Sequence, residues 1–250
     1  MLEDGSNPAA ETIRVRFPCD TRERRETQLS DSRRLLDLSH PIEHDMMTNP
    51  WMQKPTISAF LTREQSAAFT TDGVTFQMEV ISLPGSTGTY LDSPFQFHVD
   101  GPDVSAVPLE RLFDVPIVVV RVPDTISIGR EPFVAAGELT GAAVLVETGH
   151  SRHWGTGAFF QSSPYLTRDA VEYLIEANPA VVGIDSQNID NGADKTKPAQ
   201  HNLLGAGILI LECMANLADV PDRGARLRVL PTPIREAGSF PVRPVAVVGA

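Results

Sequence analysis

The chain has little cysteine. Of its 250 residues only two are cysteines, Cys19 and Cys213, and they lie far apart in the sequence. Small extracellular domains that depend on disulfides carry paired cysteines in larger number, so we expect no disulfide framework here. Cys213 follows an apolar run and is predicted to be a buried thiol. The composition is typical of a reduced, cytoplasmic protein.

Positive charge is also scarce. The sequence has 21 Lys and Arg against 32 Asp and Glu, which gives a formal net charge of -11. Nucleic acids and anionic membrane surfaces are bound through concentrated Lys and Arg, so neither partner is expected. No apolar run approaches the length of a membrane span, and the N-terminus is polar and acidic rather than signal-like.

Motifs for nucleotide cofactors are missing. The sequence has no G-x-x-x-x-G-K-[ST] loop and no G-x-G-x-x-G that opens a helix. The segment GSTGT at residues 85–89 is too short for a phosphate loop and lacks the lysine. We therefore expect a small-molecule substrate and no nucleotide.

The apolar runs that are present are short and rich in β-branched residues. Four of them begin near residues 116, 141, 180 and 245, and this pattern is typical of strands buried on both faces. A further strand over 74–83, half-buried, is predicted from the alternation of Val74, Phe76, Met78 and Val80. Residues 1–33 are charged and polar and are predicted to be a flexible extension. Residues 34–250 are predicted to be a single, strand-rich α/β domain.

Two segments have helical spacing. The first follows Thr167, a plausible N-cap, and ends before Pro179. The second spans residues 201–217, where apolar residues recur at helical intervals although two glycines, Gly205 and Gly207, weaken the pattern. On this interpretation Glu212 lies on a late helix.

Five blocks of the sequence resemble one known family. They are LLDLSHPI at 35–42, TGTYLDSP at 87–94, GHSRHWGTGAF at 149–159, VVGIDSQNID at 181–190 and LLGAGILILECMANL at 203–217. In this order they resemble the cyclase family that includes bacterial kynurenine formamidase and isatin hydrolase, over roughly residues 34–250. The resemblance implies a fold of the swivelling β/β/α type, a cyclase or hydrolase activity on a small molecule, and assembly into homodimers or homotetramers.

The metal ligands of that family are mostly replaced. Its motif H-x-G-T-H-x-D-x-P-x-H keeps the aspartate as Asp92, whereas Ser86, Tyr90 and Gln96 stand at the histidine positions. A catalytic zinc site needs three ligands, mostly His, Cys or carboxylate, so a tightly held zinc is not expected.

The resemblance extends to the late segment. It keeps the glutamate as Glu212 and places Gln200 where a further histidine is expected. The neighbouring His201 would point about 100° away on a helix. An alternative remains in which Asp92, Glu212 and His201 hold a divalent ion such as Zn²⁺, Mn²⁺ or Mg²⁺.

The remaining groups suit acid–base chemistry. Two carboxylates in one partly dry pocket cannot both ionise easily, so Asp92 and Glu212 are predicted to form an acid–base pair, and Tyr90 is predicted to donate a proton or stabilise an oxyanion. The predicted substrate-binding residues are Ser86, Gln96, Trp51, Trp154, Gln200 and His98. Each has a structural alternative: a turn cap, a core aromatic, or a surface residue.

Three hypotheses follow. The first is a metal-independent enzyme that performs cyclisation, dehydration or ring opening on a small oxygenated or aromatic acid, lactone, amide or polyketide-like compound. The second is a metal-dependent amide or lactone hydrolase of the arylformamidase type. The third is a binding protein that keeps the fold without the chemistry. The first two require Asp92 and Glu212 to meet at one cavity.

Overall fold

The computed structural model describes residues 33–47 and 49–249, so the predicted extension lies outside the described residues apart from Arg33. The described chain contains four α-helices: α1 Arg63–Ser66, α2 Glu131–Ala136, α3 Arg168–Ala177 and α4 Pro198–Gly205. It contains thirteen strands: β1 Arg34–Asp37, β2 Thr56–Leu61, β3 Met78–Ser82, β4 Tyr90–Asp92, β5 Phe113–Arg121, β6 Ser127–Ile128, β7 Ala143–Glu147, β8 Tyr165–Leu166, β9 Val181–Ile184, β10 Leu209–Glu212, β11 Ala225–Arg228, β12 Ser239–Pro241 and β13 Val245–Val248.

Nine of these strands form one sheet, in the order β1-β13-β11-β5-β7-β9-β10-β4-β12. The central strands β5, β7, β9 and β10 pair in parallel, and the outer strands pair antiparallel. The four apolar runs near residues 116, 141, 180 and 245 are strands of this sheet, as predicted. Every residue of β9 is buried, which explains why its run is apolar without alternation.

Apolar side chains pack on both faces of the sheet. Val118 and Val120 point toward a core completed by the helices, whereas Ile117 and Val119 point toward the core on the opposite face. The same alternation continues in β10, where Ile210 faces the helices. Glu212, two residues further on, therefore lies on the helix side.

Helix α3 confirms the first helical prediction. Its buried face carries Ala170, Val171 and Leu174, and the helix ends at Ala177, after which Asn178 adopts a left-handed conformation just before Pro179. The side chain of Thr167, at the N-cap position, donates to the Ile128 carbonyl rather than capping the helix. The helix consequently packs by its apolar face as the sequence pattern indicates.

The second helical prediction is wrong for most of its length. Helix α4 ends at Gly205, and Gly207 has a φ of +75°, a left-handed conformation that glycine adopts readily. The next residues form β10, which pairs with β9 on one side and β4 on the other. Two flanking strands satisfy the backbone of an apolar, β-branched run, so tertiary pairing overrides the apparent helical spacing. Glu212 therefore lies on a strand.

Strands β2 and β3 form a separate hairpin outside the nine-stranded sheet. The predicted strand over 74–83 is thus present only from Met78 to Ser82, and the prediction that it is half-buried is wrong, because every residue of β3 is exposed. The apolar residues expected on its buried face are 38–59% exposed: Val74, Phe76, Met78 and Val80. No helix in the described ranges is long and apolar enough to cross a bilayer.

Candidate active site

Tyr90, Asp92 and Glu212 meet on two adjacent strands. Tyr90 and Asp92 are two residues apart on β4, so their side chains leave the same face of the sheet. Glu212 on β10 lies directly opposite Tyr90 in the antiparallel register, and the Tyr90 hydroxyl donates a hydrogen bond to Glu212 Oε2. The predicted meeting of the two acids is therefore present, although it depends on strand pairing rather than on a helix.

Glu212 is fully buried and holds two hydrogen bonds. Besides the Tyr90 hydroxyl, the Ile189 backbone N–H donates to its Oε1 at 2.6 Å. Burial raises the pKa of Glu212 to about 7, although these two donors oppose that rise. The carboxyl can therefore gain or lose a proton near neutral pH.

Asp92 is also fully buried, with a weaker set of donors. Burial is the main cause that raises its pKa well above the ordinary value, and the nearby charge of Glu212 adds to the rise. The amides of Gln200 and Gln96 oppose it, and Gln200 Nε2 lies 3.5 Å from Asp92 Oδ2. Glu212 has the stronger hydrogen bonds, so burial favours the protonated form more strongly at Asp92 than at Glu212.

Tyr90 is a neutral donor in this arrangement. Burial, followed by the charge of Glu212, raises the pKa of its phenol well above 10. A neutral phenol that is hydrogen-bonded to a carboxylate can pass a proton to that carboxylate and accept another from a third group.

A cavity of about 570 Å³ lies beside this group. Five of the predicted site residues line it: Trp51, Ser86, Tyr90, Gln96 and Gln200. Asp92 and Glu212 have no exposed surface, so Tyr90 presents the acid–base group to the cavity. Ser86 Oγ also lies 3.1 Å from Ser239 Oγ, which fixes its position in the wall.

Two predicted substrate-binding residues lie away from this cavity. Trp154 stacks on His40 with ring centroids 4.1 Å apart and lines a second cavity of about 420 Å³. His98 points toward α4, where its Nε2 lies 2.9 Å from the carbonyl oxygen of His201. The 3₁₀ turn at Pro94–Gln96 directs Gln96 into the cavity wall and carries the chain past it before His98 is reached.

Sequence reasoning did not predict most of the other residues of the cavity wall, among them Asp190, Lys197 and Cys213. The structure confirms that Cys213 is a buried free thiol, and burial raises its pKa well above the usual value, so the thiol is neutral. The backbone φ of Cys213 is 54°, which is uncommon for a residue other than glycine. This conformation turns the chain away from the direction of β10, which ends at Glu212. For Asp190 the only sequence signal was its position after β9, at the carboxyl end of a parallel strand.

Asp190 fixes the start of helix α4. Its carboxylate accepts hydrogen bonds from the backbone N–H groups of Ala199 at 2.8 Å and Gln200 at 3.0 Å. These are donors that a helix N-terminus leaves without intrahelical partners. The contact holds Gln200 where its amide reaches Asp92.

The residues present do not form a zinc-type ligand set. The described part of the chain contains no group of three or more His, Cys, Asp and Glu side chains placed to hold a metal ion. His201 is exposed and its Nδ1 lies 3.1 Å from Asn202 Oδ1, so it does not join Asp92 and Glu212 as the alternative ligand set required.

The oxygen acceptors of the site differ in how far they are satisfied by hydrogen bonds. Both oxygens of Glu212 already accept hydrogen bonds. Asp92 Oδ1 and Gln96 Oε1 are buried without a hydrogen-bond partner among the described residues. A proton on Asp92 turns one of these two acceptors into a donor, which agrees with the raised pKa.

Comparisons with known proteins agree with this architecture. Residues 36–191, more than half of the chain, match the profile of the family described as "Putative cyclase". The kynurenine formamidase of Bacillus cereus is 27% identical over 210 residues, which is 84% of this chain and 95% of the relative. Isatin hydrolase A of Labrenzia aggregata, solved with benzyl benzoate, superimposes with a TM-score of 0.74 at 25% identity, covering 87% of this chain and 94% of that one.

A further solved structure, described as a "Potential Metal-Dependent Hydrolase With Cyclase Activity", superimposes with a TM-score of 0.72 over 88% of this chain and all of that one. At 22% identity it supports the fold alone. The mixed α/β fold is thereby confirmed. The chain belongs to the cyclase family, and it is an enzyme of the cyclase and hydrolase class.

Proposed function

We propose that the protein is a cyclase- or hydrolase-type enzyme whose own side chains carry out acid–base chemistry without a catalytic metal. The substrate is a small oxygenated or aromatic acid, lactone, amide or polyketide-like compound bound in the 570 Å³ cavity. The observation that supports this most directly is the hydrogen bond from the Tyr90 hydroxyl to Glu212, with Asp92 on the same face of the sheet.

In the proposed reaction Tyr90 relays a proton. Ionised Glu212 accepts the phenolic proton of Tyr90 while Tyr90 accepts one from the substrate, so the substrate loses a proton and Glu212 gains it. The return of that proton through Tyr90 protonates an oxygen or leaving atom later in the reaction. Asp92 stays protonated and limits the pair to one negative charge.

The amides at the cavity wall complete the site. Gln96 and Gln200 lie between Asp92 and the cavity, and their N–H groups can orient a substrate carbonyl. The formamide of kynurenine and isatin are the first substrates to test, because relatives are named for their action on them. A lactone of similar size extends the panel.

The experiment compares turnover before and after exhaustive dialysis against a chelator, with metal analysis of the same samples. We expect undiminished turnover of at least one panel compound in metal-depleted protein, and a loss of at least about 100-fold in Glu212→Gln. Tyr173→Phe, a change on α3 outside the site, is the control. A stoichiometric divalent ion whose removal abolishes turnover would support the metal-dependent alternative, and the absence of any turnover would support the binding-protein alternative.

We also propose that residues 34–250 form the catalytic domain, that the enzyme works in the cytoplasm, and that it assembles as a homodimer or homotetramer. The surface that supports assembly is the segment 56–82 around the hairpin. Three phenylalanines there, Phe60, Phe69 and Phe76, are 69%, 74% and 38% exposed. At roughly 150–250 Å² for each ring, they alone present on the order of 350 Å² of apolar surface to solvent.

An apolar patch of that size is as large as the largest patch on a typical monomer. A two-stranded hairpin is at best marginally stable without packing on a third element. Loop residues Asn49, Trp51 and Met52, which lead into the hairpin, line the cavity. A second copy of the chain seated on segment 56–82 would cover the patch and border the active site.

A further inference from the structure

Lys197 is the one cationic side chain among the described residues that line the 570 Å³ cavity. We infer that Lys197 binds a carboxylate group of the substrate, which makes the substrate an anionic molecule. This inference rests on the proposed function, because it assumes that the same cavity holds the substrate.

The chain places Lys197 with unusual backbone geometry. Its φ is 47° and its ψ is 56°, a left-handed conformation at the position just before Pro198, where helix α4 begins. The residue before a proline prefers extended backbone, and a left-handed conformation is uncommon for a lysine, so the surrounding fold imposes this turn. As a result, Lys197 lines the cavity at the start of helix α4 instead of facing the outer surface.

The ammonium group of Lys197 has no carboxylate within 4.0 Å and no side-chain hydrogen bond among the described residues. The ion pairs of the described chain involve other cations: Lys54, Arg121, Arg152, Arg168, Arg226, Arg228 and Arg243. Lys197 is half-buried. A partly desolvated ammonium without a partner favours a ligand that brings the negative charge.

A structural explanation also exists, in which Lys197 only balances the neighbouring acids. Its positive charge lowers the pKa of Asp190 and of Glu212, and so opposes the rise that burial causes in both. However, the oxygens of Asp190 already accept the N–H groups of the helix start, and those of Glu212 accept Tyr90 and Ile189. Neither acid lies within 4.0 Å, so the direct hydrogen-bonding capacity of the ammonium remains available.

The rest of the cavity wall indicates the shape of the ligand. One part is apolar and aromatic: Trp51, Met52, Phe97, Ile126 and Phe160. Another carries neutral amides that can accept or donate hydrogen bonds: Gln187, Asn188 and Asn191. An aromatic ring that bears a carboxylate uses both kinds of wall, with Lys197 as the partner of the charge.

The test compares benzoate with benzamide, two probes of the same shape that differ in charge. Their binding is measured by titration calorimetry in the wild-type chain and in Lys197→Met, Lys197→Arg and Lys195→Met. Lys195 is exposed and does not line the cavity, so its substitution makes the same change in net charge elsewhere.

We expect the wild type to bind benzoate on the order of tenfold more tightly than benzamide. Lys197→Met should abolish that preference, whereas Lys197→Arg and Lys195→Met should keep it. The inference is overturned if Lys197→Met keeps the preference, if Lys195→Met loses it equally, or if the wild type binds the two probes alike or binds neither at tens of millimolar.

A fourth variant separates this inference from the proposed function. Glu212→Gln should keep the preference for benzoate while turnover is lost. If Glu212→Gln is as active as the wild type and the preference still depends on Lys197, the acid–base proposal fails and carboxylate binding stands. If turnover depends on Glu212 and the preference for benzoate is independent of Lys197, carboxylate binding by Lys197 fails and the acid–base proposal stands.

Discussion

Tyr90 connects the buried Glu212 to the cavity, so the proposed proton transfer depends on its single phenolic oxygen. The residue would be unremarkable in the sequence without the surrounding motif, because a tyrosine between Thr89 and Leu91 is typical of any half-buried strand. Its role depends on the register that places it opposite Glu212.

Removal of the Tyr90 hydroxyl should impair the reaction more than the fold. In Tyr90→Phe the ring keeps its place beside Phe159 and Cys213, while Glu212 loses a donor that lowers its pKa. We expect turnover to fall by at least about 100-fold and the acidic limb of the pH–rate profile to move to higher pH. Kinetics across pH 5–9 measure both effects.

Tyr173→Phe, far from the site on α3, should leave the profile unchanged. A Tyr90→Phe enzyme with wild-type turnover and an unshifted acidic limb would remove the phenol from the mechanism.

The buried carboxyl of Glu212 should also set the pH dependence of stability. Its folded pKa of about 7 lies above its ordinary value of 4.5, so between these values the folded chain binds more protons than the unfolded chain. The free energy of unfolding should therefore be highest below about pH 4.5 as far as this group is concerned, and fall as pH rises toward 7, by on the order of 3 kcal/mol.

Urea unfolding at pH 5 and pH 8 tests this expectation. Glu212→Gln cannot ionise, so its loss of stability between the two pH values should be smaller than that of the wild type. Glu172→Gln, an exposed change on α3, should keep the wild-type difference. Equal differences in wild type and Glu212→Gln would show that the carboxyl is not desolvated in solution.

Among individual residues, the sequence pointed to those of the recognisable motifs but not to those of the loop 187–197, which leads into helix α4. Asp92, Tyr90 and Glu212 could be proposed from the sequence because they stand at recognisable positions of the motif. Lys197 and Asp190 could not, because the path of residues 187–197 decides whether a side chain faces solvent or the cavity, and no periodic pattern encodes that path.

Among the elements, β10 shows how pairing decides secondary structure. Leu203, Ile210 and Leu217 recur at helical spacing, yet the segment breaks at Gly207 and continues as a strand. Local spacing is ambiguous for short apolar runs, and the availability of two neighbouring strands resolves it. The strands β5, β7 and β9 were predictable because burial on both faces leaves continuous apolar runs.

Helix α4 should depend on Asp190 for its position. We expect Asp190→Ala to lower the free energy of unfolding by about 1–3 kcal/mol, because the N–H groups of Ala199 and Gln200 lose their acceptor in a buried setting. Turnover should fall as well, since Gln200 is no longer held against Asp92. Chemical denaturation and steady-state kinetics measure the two losses.

Asp194→Ala is the matched control for this prediction. Asp194 bonds Thr196 and Arg168 on the outer side of the same loop, and its loss should cost less than about 1 kcal/mol. Similar stability of Asp190→Ala and wild type would contradict the assigned role.

For the molecule as a whole, the hairpin segment 56–82 is the surface least consistent with an isolated chain. The alternation of apolar residues around β3 predicted a buried face, and the described chain leaves that face exposed. The pattern could not show whether the partner of that face belongs to the same chain or to another copy.

We expect Phe60→Ser combined with Ile81→Ser to shift the protein from an oligomer to a monomer. Both side chains are more than half exposed on the hairpin, and polar replacements would remove much of the driving force for association. Light scattering coupled to size-exclusion chromatography measures the mass. Leu230→Ser, a similarly exposed apolar site outside the hairpin, should leave the mass unchanged. A wild-type chain that elutes as a monomer at micromolar concentration would contradict the proposal.

The lack of solvent exposure at Asp92 and Glu212 has one more consequence. A hydrogen taken from the substrate would be stored where bulk water exchanges slowly, and it could return to the same molecule before being diluted. For a substrate in which the hydrogen moves from one carbon to another, reactions run in deuterium oxide should therefore yield product that retains part of its original protium at the receiving carbon.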